Sequence, residues 1–274
     1  MPSSSLPRDI ERDVAFAIEG AELAGERVLA LRATRRWKDS TTMADIGDQA
    51  ADGFLQGFVR GRLPDDGLLS EETVDTTRRL ELERVWIIDP LDGTREYSQD
   101  REDWAVHVAL TSRGRCVFGV VALPARGKTI WGVCGAGLPT VAGLRGEGRL
   151  ARGDEPQSGP LRIAVSRSHT PSWMPRFAET LGAELVHSGS VGNKVGMLML
   201  GEADLYAHRK GLKEWDTCAP ECVARALGWS VSRLKGEDLA YNQRDPRVDE
   251  FLVCRPAMRE RVLAALRESG AVAS

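Results

Sequence analysis

The run Val85-Trp86-Ile87-Ile88-Asp89-Pro90-Leu91-Asp92-Gly93-Thr94 decides how the rest of the chain is read. Four large apolar residues in succession predict a buried strand, and that strand delivers Asp89 at its C-terminal end. Pro90 has no amide hydrogen to donate, so the ladder is expected to stop there. Asp92-Gly93-Thr94 then reads as a tight turn. Two carboxylates three residues apart at a strand end repel each other unless a cation neutralises them. Hard oxygen ligands of this kind suit magnesium. Gly93 lets the backbone approach an anion, and amides around Thr94 are placed to donate to phosphate oxygens. Taken alone, the stretch fits equally a type I turn in which both carboxylates satisfy local amides.

On the N-terminal side of this strand, apolar residues at Ile10, Val14, Ala17, Ala21, Ala24, Val28 and Leu31 follow helical spacing. A second helix is expected over 46–62, with Asp45 as its N-cap. On the C-terminal side, β-rich runs at 104–110, 116–123, 129–134 and 140–144 are separated by turn signals, as antiparallel neighbours are. Residues 145–160 are rich in Gly, Arg and Pro without apolar period, and the domain boundary is placed there. Beyond it strands are expected at 161–166, 184–187, 203–207, 229–234 and 251–253. Helices alternate with them at 173–181, 193–200, 217–227 and after Pro256, which argues for an α/β layer.

Composition excludes several classes. The 274 residues carry a formal charge of -3, too near neutral for general binding to a nucleic-acid polymer. No apolar run reaches the roughly 20 residues that cross a bilayer, and no leader pattern opens the chain. Five scattered cysteines are expected to be reduced, buried thiols in a cytoplasmic protein, with no zinc-site spacing among them.

Further acidic segments stand in order along the chain: Thr42-Met43-Ala44-Asp45, Ser70-Glu71-Glu72 and Trp215-Asp216-Thr217-Cys218-Ala219. A haloacid-dehalogenase type of site needs two Asp two residues apart, and the three-residue spacing counts against it. With Asp89 to Thr94, the segments resemble the signature of the inositol monophosphatase superfamily of lithium-sensitive phosphatases. Arg95-Glu96-Tyr97, Val165-Ser166-Arg167-Ser168-His169 and Gly189-Ser190-Val191-Gly192-Asn193-Lys194 are most similar to its bacterial CysQ branch of 3'(2'),5'-bisphosphate nucleotidases.

The resemblance implies an α+β fold layered α/β/α/β/α. Its N-terminal half spans 1–159 and its C-terminal half 160–274, with the site between them. Two or three magnesium ions are implied, held by Glu71, Asp89, the Leu91 carbonyl, Asp92 and Asp216. Glu71 and Thr94 are implied to activate water, and Asp45 to support the site or the leaving group, giving direct hydrolysis of a small phosphate ester. The implied substrate is 3'-phosphoadenosine 5'-phosphate, a by-product of sulfate assimilation, contacted by Asp92, Gly93, Thr94, Ser190, Gly192, Lys194, Lys213 and Asp216. Lys210 is a further cation near the site, and His169 or Arg167 a candidate stacking partner for a base. Inositol monophosphates and fructose 1,6-bisphosphate are the alternative substrates, and a non-catalytic metal- and phosphate-binding regulator the alternative class. The resemblance also implies a homodimer, although no stretch of sequence identifies an interface.

Overall fold

Helix α1 (Arg8–Ala33) buries Ile10, Val14, Ala17, Ala21, Ala24 and Val28, the stripe its spacing predicts. It packs on α2 (Ser40–Arg62), and both lie on the outer face of a six-stranded sheet. The computed structural model describes residues 7–272 except 35, 37, 38, 76, 136 and 158. The first six residues, on which the leader was argued, lie outside these.

The first sheet has the order β1 (Gly67–Ser70), β2 (Arg84–Asp92), β3 (Ala105–Ser112), β4 (Arg115–Leu123), β5 (Lys128–Val133) and β6 (Val141–Arg145). Strand β1 runs parallel to β2, and the remaining pairs are antiparallel. The second sheet is built from β7 (Leu161–Ser166), β8 (Ala183–Ser188), β9 (Leu205–Lys213), β10 (Ser230–Ser232) and β11 (Arg247–Cys254). Its order is β10-β11-β9-β7-β8. Helices α5 (Val191–Met199) and α6 (Glu214–Ala226) fill the space between the sheets. Helices α4 (Met174–Leu181) and α7 (Arg259–Glu268) cover the far face of the second. A short helix α3 (Thr94–Ser98) follows β2. The result is the five-layer α/β/α/β/α sandwich.

Several local expectations change. Helix α2 starts at Ser40, because Asp39 accepts the Thr42 amide at 2.7 Å and is the true N-cap. Asp45 is therefore inside the helix. Pro90 does not end its ladder: a bulge lies between Asp89 and Asp92, and pairing resumes with Asp92 opposite Ala105. Helix α6 starts at Glu214, so Asp216 stands in its first turn and Pro220 in the interior. Pro220 has no hydrogen to give the Asp216 carbonyl four residues back. The basic run Arg209-Lys210 is part of β9, beside a register shift in its pairing with β11.

The cysteines also differ from expectation. Cys116 and Cys222 are joined in a disulfide, leaving Cys134, Cys218 and Cys254 free. Their proximity follows from the closeness of α6 to the first sheet. A Cβ added at Gly119 of β4 would lie 2.6 Å from the Ala219 carbonyl oxygen, so only glycine admits the helix there.

Candidate active site

The bulge in β2 turns Asp89 and Asp92 toward the seam between the two sheets, and both are fully buried. Asp92 is firmly held. Its Oδ2 accepts the Gly192 amide at 2.6 Å and its Oδ1 the Val191 amide at 3.2 Å, at the N-terminus of α5. His107 on β3 brings Nε2 to 3.2 Å from Asp92 Oδ2, an ion pair off the hydrogen-bond line, while its Nδ1 donates to the Trp215 carbonyl at 3.0 Å. Gly192 is required by this approach, since a Cβ there would sit 2.1 Å from His107 Nε2. Burial alone would raise the Asp92 pKa, but pairing with His107, the Gly192 amide and Lys194 outweigh it and hold it below the ordinary value.

Asp89 is the opposite case. Leu91 donates its amide to Oδ1 at 3.2 Å, but Oδ2 is buried without a hydrogen-bond partner. Burial, then Glu71, Asp92 and Asp216, push its pKa well up. Glu71 follows β1, whose last residue is anchored by Ser70 Oγ donating to Asp52 Oδ1 of α2 at 2.6 Å. Glu71 is exposed as a residue, yet its carboxyl is pushed up to about 8 by desolvation and by Asp216, Asp48, Glu72 and Asp92. Asp216 accepts the Lys213 amide at 2.6 Å and is pushed up to about 7 by burial and by Asp92.

Thr94 opens α3 and places Oγ1 3.1 Å from Asp48 Oδ1 and 3.1 Å from the Leu91 carbonyl. One hydroxyl proton serves only one of these acceptors at a time. The structure thus puts Asp48, not Asp45, beside the threonine, and Asp45 stays exposed one turn earlier on α2. Burial, then Glu72, push Asp48 up to about 7. A Cβ at Gly47 would lie 2.6 Å from the Tyr97 ring, so the glycine lets α2 lie against α3 beside Asp48.

The phosphate cradle expected around Ser190 to Lys194 is already filled. Ser190 Oγ caps α5 by accepting the Asn193 amide at 2.9 Å, and the Val191 and Gly192 amides are engaged by Asp92. Lys194 is buried, donating to the Ser190 carbonyl at 2.7 Å and to the Gly189 carbonyl, and burial lowers its pKa to about 8. Gly93, at φ 93, abuts Ser190, where a Cβ would meet the Ser190 Cβ at 2.9 Å. Arg167 is paired with Asp103 at 2.7 Å, and both Arg167 and His169 are exposed. Lys213 is half-buried at the end of β9, and Lys210 is exposed on the same strand. His107 and Asp48 are the site groups that sequence reasoning passed over.

A sequence profile described as "Inositol monophosphatase family" matches residues 9–271. A 3'-phosphoadenosine 5'-phosphate phosphatase of Mycobacterium leprae is 38% identical over 273 residues, covering 93% of this chain and 94% of that protein. The 3'(2'),5'-bisphosphate nucleotidase CysQ of Salmonella typhimurium is 30% identical over 213 residues, covering 77% and 83%. Among solved structures, CysQ from Bacteroides thetaiotaomicron, a bacterial member of the inositol monophosphatase family, superposes with a TM-score of 0.73 at 27% identity. That match covers 89% of this chain and 97% of that one. With the sandwich and its acidic seam, these matches place the chain in the inositol monophosphatase family.

Proposed function

We propose that this chain removes the 3'-phosphate of 3'-phosphoadenosine 5'-phosphate, giving AMP and phosphate, with magnesium as its cofactor. The observation that carries the reading is the near full-length, 38% match to a phosphatase of that name, aligned on a chain whose acidic seam is intact.

The donor set fits a hard divalent cation. Asp89 Oδ2 is buried without a hydrogen-bond partner, and burial together with neighbouring carboxylates raises the pKa values of Glu71, Asp89 and Asp216. Two or three magnesium ions would be held by Glu71, Asp89, the Leu91 carbonyl, Asp92 and Asp216. Each Asp92 oxygen keeps a lone pair beyond its amide bond for that purpose. When bound, such ions neutralise the developing charge on the phosphoryl oxygens and make an attacking water more acidic.

The chain's own groups supply orientation. With the Leu91 carbonyl engaged elsewhere, the Thr94 hydroxyl donates to Asp48, and its oxygen is left to accept from a water. Glu71, across the seam, accepts the water's other proton. Asp48 thereby takes the place expected of Asp45. Among the described residues no side chain is placed as a nucleophile, which favours direct hydrolysis. For the second phosphate, Lys213 and Lys210 on β9 are the cations to hand, Lys194 being spent on two carbonyls. A cytoplasmic location and a homodimer accompany this reading.

Phosphate release from 3'-phosphoadenosine 5'-phosphate, inositol 1-phosphate and fructose 1,6-bisphosphate, with and without magnesium and lithium, tests it. The expected result is magnesium-dependent, lithium-sensitive release fastest from the nucleotide. Faster release from either other ester would overturn the substrate, and release from none would overturn the enzyme reading.

A further inference from the structure

Helix α6 carries reactive groups at two places. Asp216, in its first turn, faces the acidic seam, while Cys218 and Cys222, one turn apart, face the first sheet. There Cys222 Sγ is bonded to Cys116 Sγ of β4. Cys134 Sγ, just past β5, lies 3.3 Å from Cys222 Sγ, and Cys218 Sγ lies 3.7 Å from Cys116 Sγ. Each end of the disulfide therefore has a free thiol against it. A bond serving only as a staple needs neither, whereas a thiol at that distance is the attacking group of thiol–disulfide exchange.

The cluster has a way in. Cys116 is only partly buried and lines a cavity of about 510 Å³ with Arg84, Ser112, Arg113 and Arg115, large enough for a small-molecule thiol. It also has a mechanical consequence. The bond fastens α6 to the sheet six residues beyond Asp216, on a face where the helix already lies against Gly119 and Gly132.

We propose that Cys116, Cys134, Cys218 and Cys222 form a thiol–disulfide exchange centre in which Cys222 alternates between Cys116 and Cys134, and that its reduction loosens α6 and weakens the hold of Asp216 on metal. In the internal step the Cys134 sulfur attacks Cys222 Sγ, the Cys116–Cys222 bond breaks and a Cys134–Cys222 bond forms. The electron pair leaves on Cys116, which takes up the proton lost by Cys134, with no net oxidation. In reduction, one sulfur of an external dithiol attacks Cys116, and Cys222 leaves as a thiolate and is protonated. The second sulfur of the dithiol then releases Cys116, and the dithiol departs as a cyclic disulfide. Burial pushes the Cys134 thiol up to about 12, so the internal step is slow, on the scale of minutes to hours. Either bond to Cys222 ties α6 to the first sheet; only the reduced form releases it. The link to Asp216 rests on the metal site read above.

The full chain, treated with dithiothreitol or with oxidised glutathione and then alkylated in acid-quenched samples, is mapped by mass spectrometry. Oxidised protein is expected to alkylate fully at Cys218 and Cys254 and to divide the remaining free thiol between Cys134 and Cys116, and reduced protein to alkylate at all five cysteines. In Cys116→Ser, oxidised glutathione is expected to yield a Cys134–Cys222 bond, two thiols being oxidised as glutathione disulfide is reduced. In Cys134→Ser the original bond persists. A Cys116→Ser protein in which Cys134 and Cys222 never join overturns the exchange centre, as does zinc retained stoichiometrically on four reduced cysteines. Magnesium binding to the wild type, read by calorimetry, is expected to be about fivefold weaker after reduction. Cys222→Ser should bind at the reduced value whether or not dithiothreitol is present. Equal affinity in the two wild-type states overturns the coupling. None of these readouts needs phosphate release, so failure of the proposed substrate would appear separately.

Discussion

The two sides of the acidic seam handle negative charge in opposite ways. Against the N-terminus of α5, Asp92 meets two amides, the His107 ring and the nearby Lys194, and its carboxylate is held ionised despite full burial. Toward α2 and β1, Glu71, Asp48 and Asp89 are surrounded by other carboxylates, and every one of them is pushed up. Burial is common to both sides, so it does not explain the contrast. Partners do: the chain completes an ionic joint on one side and leaves the other short of positive charge. The first joins β2 and β3 to α5 and, through the Trp215 carbonyl, to α6. The second is the side to which the proposed function assigns the cations.

Substituting the two aspartates separates these roles and carries the largest expected effects. Asp89→Asn and Asp92→Asn should each lower kcat by about 10²–10³-fold or more, since each removes charge aimed at the reacting centre. Their stabilities should diverge. Asp92→Asn leaves buried His107 without its counter-charge, a loss on the order of 3 kcal/mol. Asp89→Asn removes a carboxyl that is already disfavoured and should raise the stability of the metal-free protein. Urea unfolding in EDTA reads both; equal shifts for the two variants would erase the distinction. The bare sequence gives no sign of this divergence, because the amides and the imidazole that hold Asp92 come from distant segments.

A narrower test concerns the α2 edge of the cation-poor side. Asp48→Asn should lower kcat by about 10²-fold with little change in KM, because it disturbs the acceptor that orients Thr94. Asp45→Asn, on an exposed position of the same helix, should stay within about twofold. Steady-state kinetics on the two variants decides between them, and a larger loss at Asp45 would return the role to the residue the motif first indicated.

How much was legible in advance follows from the range of the interactions. Strand β2 declared itself because a continuous apolar run leaves no alternative to burial, and α1 because its stripe repeats over seven positions. Glu71, Asp89, Asp92 and Asp216 could be singled out because each lies in a local motif. Asp48 could not, because choosing between Asp45 and Asp48 depends on where Gly47 lets α2 touch Tyr97, a contact across 50 residues. The partner of the turn at Ser190 to Lys194 was hidden for a similar reason: small residues before a helix do signal anion binding, but the anion its amides hold in the structure is the protein's own Asp92. The disulfide was hidden in the same way, since Cys116 and Cys222 are 106 residues apart.

The smallest expected effect is on stability as a function of pH, and its sign follows from the unpaired side. Glu71, Asp48 and Asp216 have folded-state pKa values of about 8, 7 and 7, each above the ordinary carboxylate range. Between about pH 4 and those values the folded chain binds more protons than the unfolded one, so stability falls as pH rises through the window. Below about pH 4 both states are protonated and these groups contribute nothing to the slope. Asp92 works in the reverse direction, being depressed, but its contribution is lost only on acidification below the ordinary carboxylate pKa. Metal-free protein should therefore melt a few degrees lower at pH 8.5 than at pH 6. Magnesium should reverse that order, because it replaces the protons that otherwise hold the carboxyls neutral, and it competes best where protons are scarce. Calorimetry at the two pH values, with EDTA and with magnesium, checks this. A metal-free protein that melts higher at pH 8.5 would mean that the carboxyls of the open side are already paired, and that the contrast between the two sides is not one of charge.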